Sequence, residues 1–208
     1  MTDSQTTNDT TRDELLQRVA LMEAMIAEGR RSTTRFGWIF VLWGLVDLAG
    51  VWWEQLRPDF NWVWPITIVS GFVIQFLIFA LRGKVSLVCG KSVQTRSIGA
   101  VWSMMGVTVL LYVFPAIIQH RAGQVSYIAA ILMFLGMAHA ISALILRWPV
   151  QGVVAALWWA GGIGTYFLQG NYFLAIFVAE MFFGMILFGL YAMWLDRREQ
   201  GGRIAAHA

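Results

Sequence analysis

Between Phe36 and Leu195 the chain carries six apolar stretches, at 36–53, 61–81, 97–119, 125–146, 150–169 and 172–195. This pattern limits the fold more than any other feature. Inside a bilayer no water is present to take up peptide N–H and C=O groups. A crossing segment must close those bonds along its own helix or around a closed barrel. About twenty residues of helix, at roughly 1.5 Å each, cover a hydrocarbon core of about 30 Å. The sequence therefore predicts an all-α membrane protein of about six transmembrane helices, arranged as three hairpins and preceded by a short cytoplasmic amphipathic helix.

Composition agrees. Hydrophobic residues make up 58% of the 208 residues and charged residues only 13%, about half the charged share of a soluble domain. The eleven Trp fit a side chain that collects at membrane–water interfaces. The net charge is +3, but the basic residues flank apolar stretches. Their place is at the lipid headgroups, and no nucleic-acid partner is expected.

The basic residues also set a direction. Arg12, Arg18, Arg30, Arg31 and Arg35 precede the first stretch, and Arg82, Lys84, Lys91 and Arg96 separate the second from the third. Arg147 separates the fourth from the fifth, and Arg197, Arg198 and Arg203 follow the sixth. With six crossings these thirteen share one side, against Arg57 and Arg121 on the other. The positive-inside rule then puts both termini in the cytoplasm. The single cysteine, Cys89, falls in a cytoplasmic loop and excludes an intrachain disulfide. The polar, acidic start lacks the basic and apolar regions of a signal peptide, so the first apolar stretch is expected to act as the insertion signal.

Four segments follow from this reading: a disordered tail at 1–10, an amphipathic helix at 11–30, the transmembrane domain at 36–195 and a cytoplasmic tail at 196–208. The amphipathic helix opens on Thr11 and Glu14 at capping-box spacing, and Gly29 is its expected stop. Leu15, Val19, Met22 and Ile26 recur at four, three and four residues, a short coiled-coil seam. Its polar positions mix Arg18 with Glu14, Glu23 and Glu28, unlike the Lys/Arg-rich face of a membrane-surface helix. Docking on the chain's own body, self-association into a homo-oligomer, or a cytoplasmic protein partner are the uses open to it.

Polar groups inside the apolar stretches are the best pointers to chemistry, because each is costly in lipid. Asp47 and Glu180 fall roughly 9 Å and 12 Å below the outer boundary at 1.5 Å per residue. They could share a proton or hold a cation, or each could bond a neighbouring helix. Gln75 and His139 fall about 21 Å down, in a second layer. For His139 the expectation is a neutral imidazole bonded across a tight helix contact. No second His lies within a stretch to join it as a metal ligand, so no metal or other cofactor is expected. Trp43, Trp102 and Trp158 in the odd stretches, with Gly71, Gly136 and Gly184 in the even ones, raise a threefold hairpin echo; chance recurrence of common membrane residues explains it equally well.

The chain has no His-Glu-x-x-His, no Gly-x-Ser-x-Gly and no phosphate-binding Gly-rich loop with Lys. It reads as a non-enzymatic sensor, regulator or assembly protein. The alternative is a small transporter or channel using Asp47 and Glu180 for proton or cation coupling.

Overall fold

The computed structural model describes residues 3–60, 62–81, 93–119, 124–168 and 172–206. Cys89, Arg82, Lys84, Lys91, Arg121 and the expected turn at 170–171 lie outside them. All described elements are helical: α1 (Asp3–Arg35), α2 (Gly37–Leu56), α3 (Val63–Leu81), α4 (Val93–Gln119), α5 (Gln124–Leu146), α6 (Pro149–Phe167), α7 (Tyr172–Glu180) and α8 (Phe188–Ala206). A π-helical segment, Met181–Leu187, joins α7 to α8.

Among the described residues, four helical segments are long and apolar enough to cross a membrane: Arg12–Leu56, Val63–Leu81, Val125–Leu146 and Tyr172–Gly201. Their outward faces fit lipid. Leu144 is 80% exposed, and Val73, Phe76 and Phe183 are exposed as well. A surface of this kind in water would be one continuous association hazard.

Helix α1 is longer than the amphipathic pattern predicts. It takes in residues 3–10, where the sequence reading expects disorder, and it continues through Gly29. Gly29 serves as a contact, not a stop. A Cβ there would meet Leu146 Cδ2 at 2.7 Å and Gln94 Cβ at 3.2 Å. A glycine inside a helix costs only about 1 kcal/mol relative to alanine, which tertiary packing offsets. Phe36 alone separates α1 from α2. The hydroxyls of Thr33 and Thr34 donate to the carbonyls of Gly29 and Arg31. Such bonds back into the preceding turn bend a helix without ending it.

Two fastenings hold the end of α1. Arg30 Nε donates to the Leu146 carbonyl at 2.6 Å, and its terminal nitrogen donates to the Arg147 carbonyl. Arg31 pairs with Glu199 of α8 at 3.2 Å. That pair is about half exposed and contributes little.

The accepting turn is itself ordered by its backbone. Trp148 N–H bonds the Ala143 carbonyl and Arg147 N–H the Leu144 carbonyl, the two bonds of a Schellman cap on α5. Pro149 then opens α6 with its fixed φ. The cap puts Arg147 at φ 48°, a left-handed conformation that glycine adopts without penalty. Arg147→Gly is expected to keep the Arg30 bond, which uses only the backbone carbonyl, and to stabilise the fold by about 1 kcal/mol. A thermal melt of the two proteins in the same detergent checks this.

The core lies between α2, α5, α6 and the π segment, with Leu132, Leu146, Trp158 and Met181 fully buried. Small residues set the spacing. A Cβ on Gly37 would stand 2.7 Å from the Gly189 carbonyl, and one on Gly189 would stand 2.6 Å from the Gly37 carbonyl. The π segment packs on α2 at Gly44, against Met181, Met185 and Ile186. Trp43 packs over Gly71 and Trp158 over Gly184, two of the three pairs in the sequence echo. In the middle pair of helices the pattern breaks. Gly136 receives Trp159 of α6, and Trp102 Nε1 donates to Ser142 Oγ at 3.1 Å.

Candidate functional site

A cleft of about 450 Å³ lies between the α2–α3 pair and the α4–α5 pair. It exists because α3 packs on α2, whereas α4 packs on α5 and α1. Phe36, Ile39, Phe40 and Trp43 line it from the first side, with Ile68 and Phe72 of α3. Ile98, Trp102, Met105 and Leu110 of α4 and Ile131 of α5 line it from the other. Ser32, Thr33 and Thr95 border one end; Trp64, Tyr127 and Phe177 border the opposite end. An apolar cleft of this size with a few placed polar groups has the general character of a small-molecule site.

Asp47 and Gln75 line this cleft. Trp43, one turn before Asp47 on α2, donates its Nε1 hydrogen to Gln75 Oε1 at 2.7 Å. Because indole N–H can only donate, the bond fixes which end of the amide faces Trp43. Asp47 is half-buried, and its carboxyl has no hydrogen-bond or ion partner among the described residues.

Glu180 is not among the described residues that line the cleft. It faces α6, where its Oε1 would lie 2.6 Å from a Cβ on Gly161. The carboxyl occupies the room that glycine leaves, and its Oε2 is buried without a partner among the described residues. Glu180 also precedes the π-helical turn. Such turns are found mostly as insertions in α-helices and often at functional sites.

His139 is fully buried. Its ring centroid stands 5.7 Å from Phe40, 4.9 Å from Trp102, 6.3 Å from Trp158 and 5.1 Å from Phe188. The expected bond across a helix contact is not made, because neither ring nitrogen has a partner among the described residues. Aromatic faces surround it instead. His139 is separated from Gln75 in role: Gln75 belongs to the cleft, and His139 to the core behind Phe40 and Trp102.

The pairing by depth is thus rearranged. The structure brings together Asp47 and Gln75 on one cleft, and sets His139 in the packed interior and Glu180 against α6. Position along a helix specifies height but not the face a residue presents. Sequence reasoning missed Trp43 as a positioning group for Gln75; its signal was the four-residue spacing to Asp47, which puts both on one helix face. Among the described residues no group of three His, Cys, Asp or Glu side chains comes together as a metal site.

The expected partner helix is exposed along most of its seam. Leu15, Val19 and Met22 are more than half exposed, as is the adjacent Leu16, while Ile26 is half-buried. Among the described residues, the chain's own body covers only the end near Gly29.

No protein-family model matches this chain, and no curated protein or solved structure shows significant similarity to it.

Proposed function

We propose that this chain is a non-enzymatic regulator or assembly protein of the membrane, and that α1 is its contact element. The reading places six crossings in three hairpins, with both termini in the cytoplasm. Helices α4 and α6, at 27 and 19 residues, have the length to join the four apolar segments as crossings. The thirteen-to-two distribution of basic residues supports the direction.

One observation carries the proposal. An apolar stripe stands exposed on a helix whose far end is fastened to the body by Arg30 and Gly29. An anchored helix with an uncovered seam is suited to contact, and its best partner is α1 of a second copy. In heptad terms Val19 and Ile26 take position a, and Leu15 and Met22 take position d. Arg18 then falls at g and Glu23 at the following e, the positions that meet across a parallel pair. Both are exposed, and neither is paired within the chain among the described residues. Insertion in one direction makes two copies parallel without further cost. Two heptads are marginal in solution, but confinement to the membrane raises their effective concentration.

Cross-linking in native membranes tests this, in a Cys89→Ser background. Val19→Cys and Met22→Cys are expected to link copies efficiently, and Ala24→Cys, on the outward face, at least fivefold less. Arg18→Glu should weaken linking at Val19→Cys severalfold, and adding Glu23→Arg should restore it. Equal linking at positions 19 and 24, or no restoration by the charge swap, overturns the proposal. A second reading, a small transporter, draws its support from the cleft around Asp47, with proton- or cation-driven flux in liposomes as its readout.

A further inference from the structure

From the cleft we infer a second activity, independent of the α1 contact: it binds a lipophilic amine, drawn from the bilayer, with the ammonium at Asp47 and the apolar chain along α4. Its shape argues for a chain. The lining runs on α2 from Ile39 to Asp47, roughly 12 Å of helix, and on α4 from Thr95 to Leu110, roughly 22 Å. Between these ends the walls are mostly apolar, with Ser103 and Gln75 as the polar side chains. The gap between α3 and α4, which do not pack closely on one another, gives access from the lipid side. The exposed apolar side chains Val69 and Val73 of α3 and Met104 and Leu111 of α4 fit that exposure.

Charge decides the head group. Among the described residues Asp47 is the one acidic side chain in the lining, and no Lys, Arg or His lines the cleft. An unpaired carboxyl among aromatic walls discriminates strongly for a cationic donor, because charge-assisted bonds are about twice as strong as neutral ones. Gln75 Oε1, bonded once by Trp43, keeps a second lone pair for another ammonium hydrogen. The Trp43 ring, one turn from Asp47, adds a face that attracts cations. An alcohol of the same length would use the same walls and lose the charge pairing. A fatty acid would meet Asp47 as a like charge.

The cleft also contains its own steric control. Gly106 lines it, and a Cβ there would have nothing within 4 Å among the described residues. Gly106→Leu therefore fills cleft space without disturbing a packed contact.

Quenching of tryptophan fluorescence by brominated amphiphiles tests the inference with the full chain in nanodiscs, since Trp43, Trp64 and Trp102 all line the cleft. Bromododecylamine is expected to give saturable quenching, displaced by unbrominated dodecylamine and at least tenfold tighter than that by bromododecanol; bromododecanoic acid should give only the unsaturable quenching of bulk lipid. Asp47→Asn should bring the amine to the level of the alcohol. Gly106→Leu should weaken amine and alcohol alike by tenfold or more. If Asp47→Asn does not fold, the amine-to-alcohol ratio in the unaltered protein and the Gly106→Leu result decide the matter. Equal affinity for amine and alcohol, full retention of amine binding in Asp47→Asn, or quenching untouched by Gly106→Leu overturns the inference.

Discussion

Gly189→Leu is expected to leave no folded, monodisperse protein in detergent, whereas Gly106→Leu leaves the elution profile and melting temperature intact or improved. Both replace a helical glycine by the same side chain, so helix propensity favours each by up to about 1 kcal/mol. Packing separates them. At Gly189 the first added carbon already stands 2.6 Å from the Gly37 carbonyl oxygen, 2.8 Å from Val41 Cγ2 and 2.9 Å from the Val41 nitrogen. Two of those three are backbone atoms of α2, which cannot step aside as a side-chain tip can. Relief requires α2 and α8 to part along the seam through Gly37, Gly44 and the π segment. Overpacking by a few methylenes costs typically 1–3 kcal/mol, and separating this seam costs more than that. Gly189→Ala should fall between, with a loss of about 1–3 kcal/mol. Size-exclusion profiles and thermal melts of the three variants give the order. A normal Gly189→Leu protein would mean that α2 and α8 do not approach as described.

Arg30→Met is expected to release α1 from the body while the rest of the bundle stays folded. Methionine keeps the length and apolar stem of the side chain and removes its hydrogen-bond donors. The Leu146 and Arg147 carbonyls, which Arg30 bonds at the α5–α6 turn, then lose a charged donor, a loss of about 1.5–3 kcal/mol. The Schellman cap needs only backbone groups, so α5 and α6 should retain their geometry. The effect should appear as faster amide exchange over Leu15–Glu28 and earlier proteolysis there, with the core near Trp158 unchanged. Arg30→Lys should recover part of the protection, because one ammonium can reach one carbonyl but lacks the guanidinium fork. Uniform loosening of the whole chain would instead make Arg30 a general core residue. Cross-linking at Val19→Cys should fall together with protection if α1 acts as an anchored contact element.

The two tests bear on different levels of the structure, and sequence reasoning reached those levels unequally. Helix existence was legible because apolar length is a one-dimensional property. The stretches at 61–81 and 125–146 match α3 and α5 to within two residues at either end. The positions of Asp47 and Gln75 along their helices were equally legible, and their membership of one cleft was not. Gly29 shows the same limit from another side. As a local signal it marks a helix end, yet in the fold it is the point where α1 meets Leu146 and Gln94. The bond expected for His139 failed for a related reason: four aromatic rings from α2, α4, α6 and α8 surround it, and none of those neighbours is near it in sequence.

What the amino-acid order alone determined is the helical, lipid-suited character of the chain, the α1 seam and the short set of polar residues worth following. These depend on composition and on spacing within one helix, where each residue's neighbours are its own turns. Only the tertiary structure decided which faces meet: Trp43 with Gln75, Glu180 with Gly161, Arg30 with the α5–α6 turn, and α3 apart from α4 to open a cleft. The physical reason is rotational. A helix can turn about its axis without changing its pattern, and the angle it adopts is selected by side-chain fit against other helices.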